Sequence, residues 1–190
     1  LSYNNIMDAD AALNCIKEFD SIACVVVKHA NPCGVSIGQR DIAKVFKRAF
    51  NADKLSSFGG VVALNKTCNK QIAEELSKVF VEIVVAPHFD IDALRILKRK
   101  KNLRVLSTGK ISKRENDIEL RNIDGGVLVQ DVDTSNISQS DLQHVTNKKV
   151  SEKDVSTMLF GWKVLKHIKS NAILTVKNHC TIGVGAGQVS

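Results

Sequence analysis

The sequence predicts an α/β protein, a β-sheet with helices on its faces. Three observations lead there. Short β-branched runs alternate with amphipathic stretches, the connections between them are brief, and the composition is that of an ordinary globular chain. The 190 residues are 44% hydrophobic and 25% charged. Strand patterns alternating with helical patterns argue for βαβ units.

In chain order, Asp8 or Asp10 is placed to cap a helix running to about Phe19, with Ala12, Cys15 and Ile16 on one side. The run Val25-Val26-Val27 ends a strand over residues 22–27. Asn31, Pro32 and Gly34 read as the turn after it. Asp41 reads as the N-cap of a helix over 42–52, where Ile42, Val45, Phe46, Ala49 and Phe50 fall at helical spacing. A loop at 56–60 leads to a strand over 61–64. Further helices are expected over 70–79 and 91–100, and strands over 81–86 and 103–106. Residues 107–122 read as a polar loop or edge excursion, 125–130 as a strand and 131–140 as a linker. Ser151 offers a cap to a long helix through Ile168, followed by a strand over 172–176 and the start of another near Thr181. The expected division is a first unit over 1–130, then a linker, long helix and the start of a following unit over 131–190. Both ends of the chain read as cut edges of a longer sequence.

No apolar run approaches the roughly 18 residues of a membrane span. Five scattered cysteines without a CxxC pair suit reduced thiols in a cytoplasmic protein. The formal charge of +7 raises the question of nucleic acid, because Lys98-Arg99-Lys100-Lys101 lies near Arg95 and Arg104, and Lys110, Lys113 and Arg114 follow. One Trp and one Tyr supply no base-stacking platform, so nucleic acid is not the expected partner. A basic module binding RNA or another polyanion stands as the alternative from a different class. The charge also favours anionic, phosphorylated small molecules.

Lys28-His29 sits at the end of a strand, where open α/β sheets place ligands. Lysine can stabilise a developing oxyanion, and histidine can move a proton near neutral pH. A surface lysine beside a capping histidine is the plainer reading. His29-Ala30-Asn31-Pro32-Cys33 resembles half of a zinc-deaminase signature. It fails where Asn31 replaces the acid/base Glu and Ser36 the second thiolate, so no zinc is expected. Ser57-Phe58-Gly59-Gly60 permits close backbone approach to a ligand or forms a simple turn. Asn171 orients a substrate amide or merely ends a helix. Gly183-Val184-Gly185-Ala186-Gly187 is a weak dinucleotide fingerprint. His88, His144, His167 and His179 are scattered surface or internally satisfied histidines.

Six stretches in order carry a resemblance: 1–5, Val27 to Gly34, Ser57 to Gly60, Gly125 to Asp131, Lys169-Ser170-Asn171-Ala172 and Ile182 to Gln188. Together they resemble the formyltransferase part of the bacterial bifunctional purine biosynthesis enzymes, which join AICAR (phosphoribosylaminoimidazolecarboxamide) formyltransferase to IMP cyclohydrolase. The resemblance implies transfer of a formyl group from the co-substrate 10-formyltetrahydrofolate to the 5-amino group of AICAR. Lys28 and His29 are the implied catalytic pair, with Asn171 holding the carboxamide. Ser57, Phe58, Gly59 and Gly60 are the implied lining of the nucleotide site. Also implied are a zinc-free, three-layer cytidine-deaminase-like fold, a homodimer, and little transferase activity from this stretch alone.

Overall fold

A computed structural model describes residues 1–112 and 118–189. Lys113 and Arg114 of the basic stretch, and Ser190, lie outside the described residues, as does part of the loop expected at 107–122.

The first helix, α1 (Tyr3–Ile16), begins earlier than the Asp8 or Asp10 cap implied. Ser2 caps it, reciprocated by Asn5 in a capping box. Asp8 and Asp10 are therefore interior helical residues. Strand β1 (Ile22–Lys28) follows and is buried along Ala23–Val27. The turn is also displaced. His29-Ala30 forms it, and Asn31-Pro32-Cys33-Gly34 opens strand β2 (Asn31–Gly38). The pairing runs Lys28 to Asn31 and Val27 to Pro32, then shifts so that Val26 faces Gly34. Pro32, with no N–H to give, is tolerated beside this irregularity.

Helices α2 (Ile42–Ala52) and α3 (Lys54–Ser57) precede β3 (Val61–Leu64), α4 (Lys70–Ser77), β4 (Ile83–Ala86), α5 (Ile91–Leu97) and β5 (Arg104–Ser107). Asp41 accepts from the amides of Ala43 and Lys44, as a cap should. Strand β6 (Ile118–Ile123) begins within the expected loop and, among the described residues, pairs only with β7 (Gly126–Asp131) in a separate, exposed hairpin. Helix α6 (Glu152–Leu165) then leads to β8 (Ile173–Lys177) and β9 (Cys180–Gly185).

The main sheet has seven strands in the order β5-β4-β3-β1-β2-β9-β8. Only β3, β4 and β5 pair in parallel; β1 runs antiparallel to both neighbours. The βαβ reading thus describes one half of a mixed sheet, and hairpins make the other. The sheet also continues across the boundary drawn at residue 130, since β9 pairs with β2 at Ser36 and Cys180.

Alternation along β1 sends side chains to two cores. Cys24 and Val26 join Phe46, Ala49, Ile72, Leu76 and Leu97 from α2, α4 and α5. Val25 and Val27 join Ala12, Ile16, Phe160 and Val164 from α1 and α6. Each wholly buried valine contributes on the order of 1.5–3 kcal/mol. Burial on both faces explains why the run has no polar alternation.

Candidate functional site

β1 carries Lys28 to the rim of the sheet, where its Nζ donates to the Gly59 carbonyl at 2.9 Å. That bond joins the two sequence-predicted stretches Lys28-His29 and Ser57-Phe58-Gly59-Gly60. An ammonium has three donors, so two of Lys28 remain for a ligand. Gly59 adopts φ +68°, and a Cβ there would lie 3.1 Å from Lys28 Nζ and 3.3 Å from Phe80 Cε1. Its amide donates to the Phe80 carbonyl at 2.9 Å, and the Phe58 and Phe80 rings lie 5.0 Å apart. Phe58 is exposed, whereas Ser57 is buried.

His29 occupies the hairpin turn at φ 51°, followed by Ala30 at φ 59°. Two successive positive φ values match the twist of a two-residue hairpin. The imidazole is exposed and makes no side-chain hydrogen bond among the described residues. Asn31 closes the corner: its Nδ2 donates to the His29 carbonyl at 3.1 Å, and its Oδ1 accepts from the Lys169 amide at 3.0 Å. The second bond ties the hairpin to the Lys169-Ser170-Asn171 corner. Gly187 and Gln188 amides donate to the carbonyls of Lys169 and Asn171 at 2.8 and 3.0 Å. Asn171 itself is exposed, with no side-chain partner among the described residues. Lys28, Asn31 and backbone atoms thus connect four of the predicted stretches, while among the described residues no hydrogen bond joins Asn171 to Lys28 or His29.

Cys33 points inward. Its thiol lies 3.5 Å from the Val26 carbonyl and 3.8 Å from Ser57 Oγ, and burial pushes its pKa up to about 11. It is a protonated packing group at neutral pH. Among the described residues no three His, Cys, Asp or Glu side chains gather as a metal-binding group would require. Gly183 and Gly185 belong to β9 and form no phosphate loop. His167 meets Glu18 at 3.0 Å. His179 meets Ser156 Oγ at 2.8 Å, and burial lowers its pKa, with Arg48 and Lys153 adding to the effect. A cavity of about 420 Å³ opens elsewhere, between the ends of α1 and α6, and none of the predicted site residues lines it.

The sequence pattern does not display Asp8 or Phe80 as organisers of the site, and it shows Asn31 as a turn residue without its side-chain bonds to His29 and Lys169. Each acts on a partner distant in the chain or through backbone atoms, which residue spacing does not display.

These features define an α/β protein whose polar, ligand-competent groups collect on turns at the rim of a mixed sheet. The chain belongs to the AICARFT/IMPCHase bienzyme family, whose model matches residues 1–190. The bifunctional purine biosynthesis protein PurH of Oceanobacillus iheyensis is 50% identical over 190 residues, covering 100% of this chain and 37% of its own length. The PurH protein of Buchnera aphidicola subsp. Schizaphis graminum is 47% identical over 191 residues, covering 100% of this chain and 36% of its own. The chain therefore spans little more than a third of these relatives. Among solved structures, dCMP deaminase from the cyanophage S-TIM5 aligns with a TM-score of 0.43 and 11% identity, over 56% of this chain and all of that one.

Proposed function

We propose that this chain supplies the nucleotide-binding and proton-handling part of an AICAR formyltransferase. The observation carrying the reading is the Lys28–Gly59 hydrogen bond, which unites the Lys-His pair with the Ser-Phe-Gly-Gly loop. Asn31 extends the union to the Lys-Ser-Asn corner. In this reading Asn171 holds the AICAR carboxamide and sets the 5-amino group for attack. The amine nitrogen bonds to the formyl carbon of 10-formyltetrahydrofolate while His29 takes its proton. Lys28 steadies the oxyanion as the carbonyl becomes tetrahedral. Collapse breaks the bond from the formyl carbon to the folate nitrogen, which leaves with the proton that His29 took from the amine.

The fold assignment as cytidine-deaminase-like, without zinc, belongs to the same reading and rests on the family resemblance. So does a homodimer. A cytoplasmic location is supported by five free cysteines. Among the described residues no helix is long and apolar enough to cross a membrane. The comparisons lend no support to the polyanion-binding alternative. Lys100, in the middle of the basic run, is also occupied, donating to the carbonyls of Leu76, Ser77 and Val79.

Calorimetric titration of AICAR into the chain tests the proposal. Saturable binding is expected, weakened about tenfold or more by Asn171→Ala, as losing a hydrogen bond to a bound polar group implies. Absence of binding to a folded wild-type chain would count against a nucleotide site contained in these residues.

A further inference from the structure

The turn that carries His29 is held from outside the hairpin. Neither His29 nor Ala30 is glycine, yet both adopt left-handed φ values of 51° and 59°. L-residues avoid that region because Cβ crowds the following carbonyl, so such turns persist only where neighbours over-determine them. One tie is local, from Asn31 Nδ2 to the His29 carbonyl at 3.1 Å. The other comes from 22 residues away: Asp8 Oδ1 accepts from the Ala30 amide at 2.7 Å. It is the shorter of the two, as befits a carboxylate acceptor.

Asp8 is well mounted for this. It is not a helix cap but an interior residue of α1, half-buried, one turn beyond Asn5 and one turn before Ala12. Asn5 Nδ2 donates to Glu82 Oε2 at 3.0 Å, and Ala9 and Ala12 are buried against the sheet. The helix thus sets the height and rotation of the carboxylate relative to the end of β1. A group on a packed helix fixes geometry better than one on a loop.

We infer that Asp8 is a positioning residue, which holds the His29-Ala30 turn left-handed through the Ala30 amide and so places the His29 imidazole. This deepens the formyltransferase reading and rests on His29 being its proton-handling group.

The test is NMR of the 190-residue chain and its Asp8→Ala and Asp8→Asn variants. It reads hydrogen exchange at the Ala30 amide and the His29 backbone coupling that reports φ. Asp8→Ala is expected to speed Ala30 exchange about tenfold or more and shift the His29 coupling, while amides of β3 and β4 keep their protection. Asp8→Asn keeps an oxygen acceptor on a side chain of the same length and is expected to restore most of both readings. Unchanged Ala30 exchange in a folded Asp8→Ala overturns the inference. Equal acceleration across the sheet also overturns it, because that is what a merely structural residue gives. Should Asp8→Ala not fold, Asp8→Leu, a helix former that also lacks the acceptor, decides: faster Ala30 exchange confined to the turn is expected, and none overturns the inference. Failure of AICAR to bind wild type strikes the functional reading alone, since the Ala30 and His29 readings need no ligand.

Discussion

At the scale of single residues, the site is organised by backbone atoms that only certain side chains permit. Gly59 shows this. Its carbonyl engages Lys28, its amide engages Phe80, and its φ of +68° suits glycine. A Gly59→Ala change meets two objections of different kinds. The contacts of 3.1 Å to Lys28 Nζ and 3.3 Å to Phe80 Cε1 are with movable side-chain ends, which can give way at the expense of the lysine's position. The left-handed backbone cannot be relieved so simply and costs about 1–2 kcal/mol. The expected outcome is a loss of that size in urea denaturation, with AICAR affinity in calorimetry falling further than Lys28→Ala alone would lower it. Denaturation unchanged from wild type would show that the loop re-forms around alanine. Lys28 and His29, the pair proposed to act here, stand out in the sequence because two ionisable residues come at the end of a β-branched run. Their organisers do not, since Asp8 reaches Ala30 and Phe80 reaches Gly59 only in three dimensions.

At the scale of elements, what could be read depended on whether the signal was local. Helix α2 was legible because Asp41 and the spacing of Ile42, Val45, Phe46, Ala49 and Phe50 state both its start and its buried face. The β1–β2 turn was misplaced because Asn, Pro and Gly are the usual turn formers, whereas His29-Ala30 turns under tertiary restraint. Strand β6 was hidden for a related reason: all six of its residues are exposed, so no core imposes alternation on it. The run Lys98-Arg99-Lys100-Lys101 raises the question of a polyanion in the sequence, yet Lys100 stops another helix. Its ammonium serves the Leu76, Ser77 and Val79 carbonyls, at and just beyond the end of α4, where the helix no longer supplies its regular partners. Lys100→Met, which keeps the aliphatic stem and removes the donors, is expected to destabilise the chain by about 1 kcal/mol in chemical denaturation. Lys98→Met, made beside it as the control, is expected to change stability by less than about 0.5 kcal/mol. Equal effects would make Lys100 a solvated charge like Lys98.

At the scale of the whole molecule, the question is how the last third of the chain is held to the first. The ladder from β2 to β9 is short, centred on Ser36 and Cys180, and is reinforced where Thr181 Oγ1 accepts from the Val35 amide at 3.0 Å. Behind the sheet, Phe160 packs on Phe19 with ring centroids 5.6 Å apart. A further tie is electrostatic. Glu18, just beyond α1, meets Lys166 at 2.7 Å and His167 at 3.0 Å, just beyond α6. Burial alone would push the Glu18 carboxyl up. Hydrogen bonds from His167 and Lys166, with their charge, outweigh it, and the net shift is downward from the ordinary glutamate value. A carboxyl with a lowered pKa in the folded state contributes stability above its unfolded pKa and loses it as pH falls through the folded one. Wild type is therefore expected to be more stable than Glu18→Gln at neutral pH. Its advantage should shrink through the acid range until the two denaturation curves meet once Glu18 is protonated in both states. A gap that stayed constant from neutral pH to about pH 3 would assign the difference to packing and not to charge. Because α6 leads directly to the Lys169-Ser170-Asn171 corner, the same acid loss should loosen the corner's bond to Asn31. In wild type, the Lys169 amide is then expected to lose exchange protection over the pH range in which stability falls, and in Glu18→Gln to show no such step.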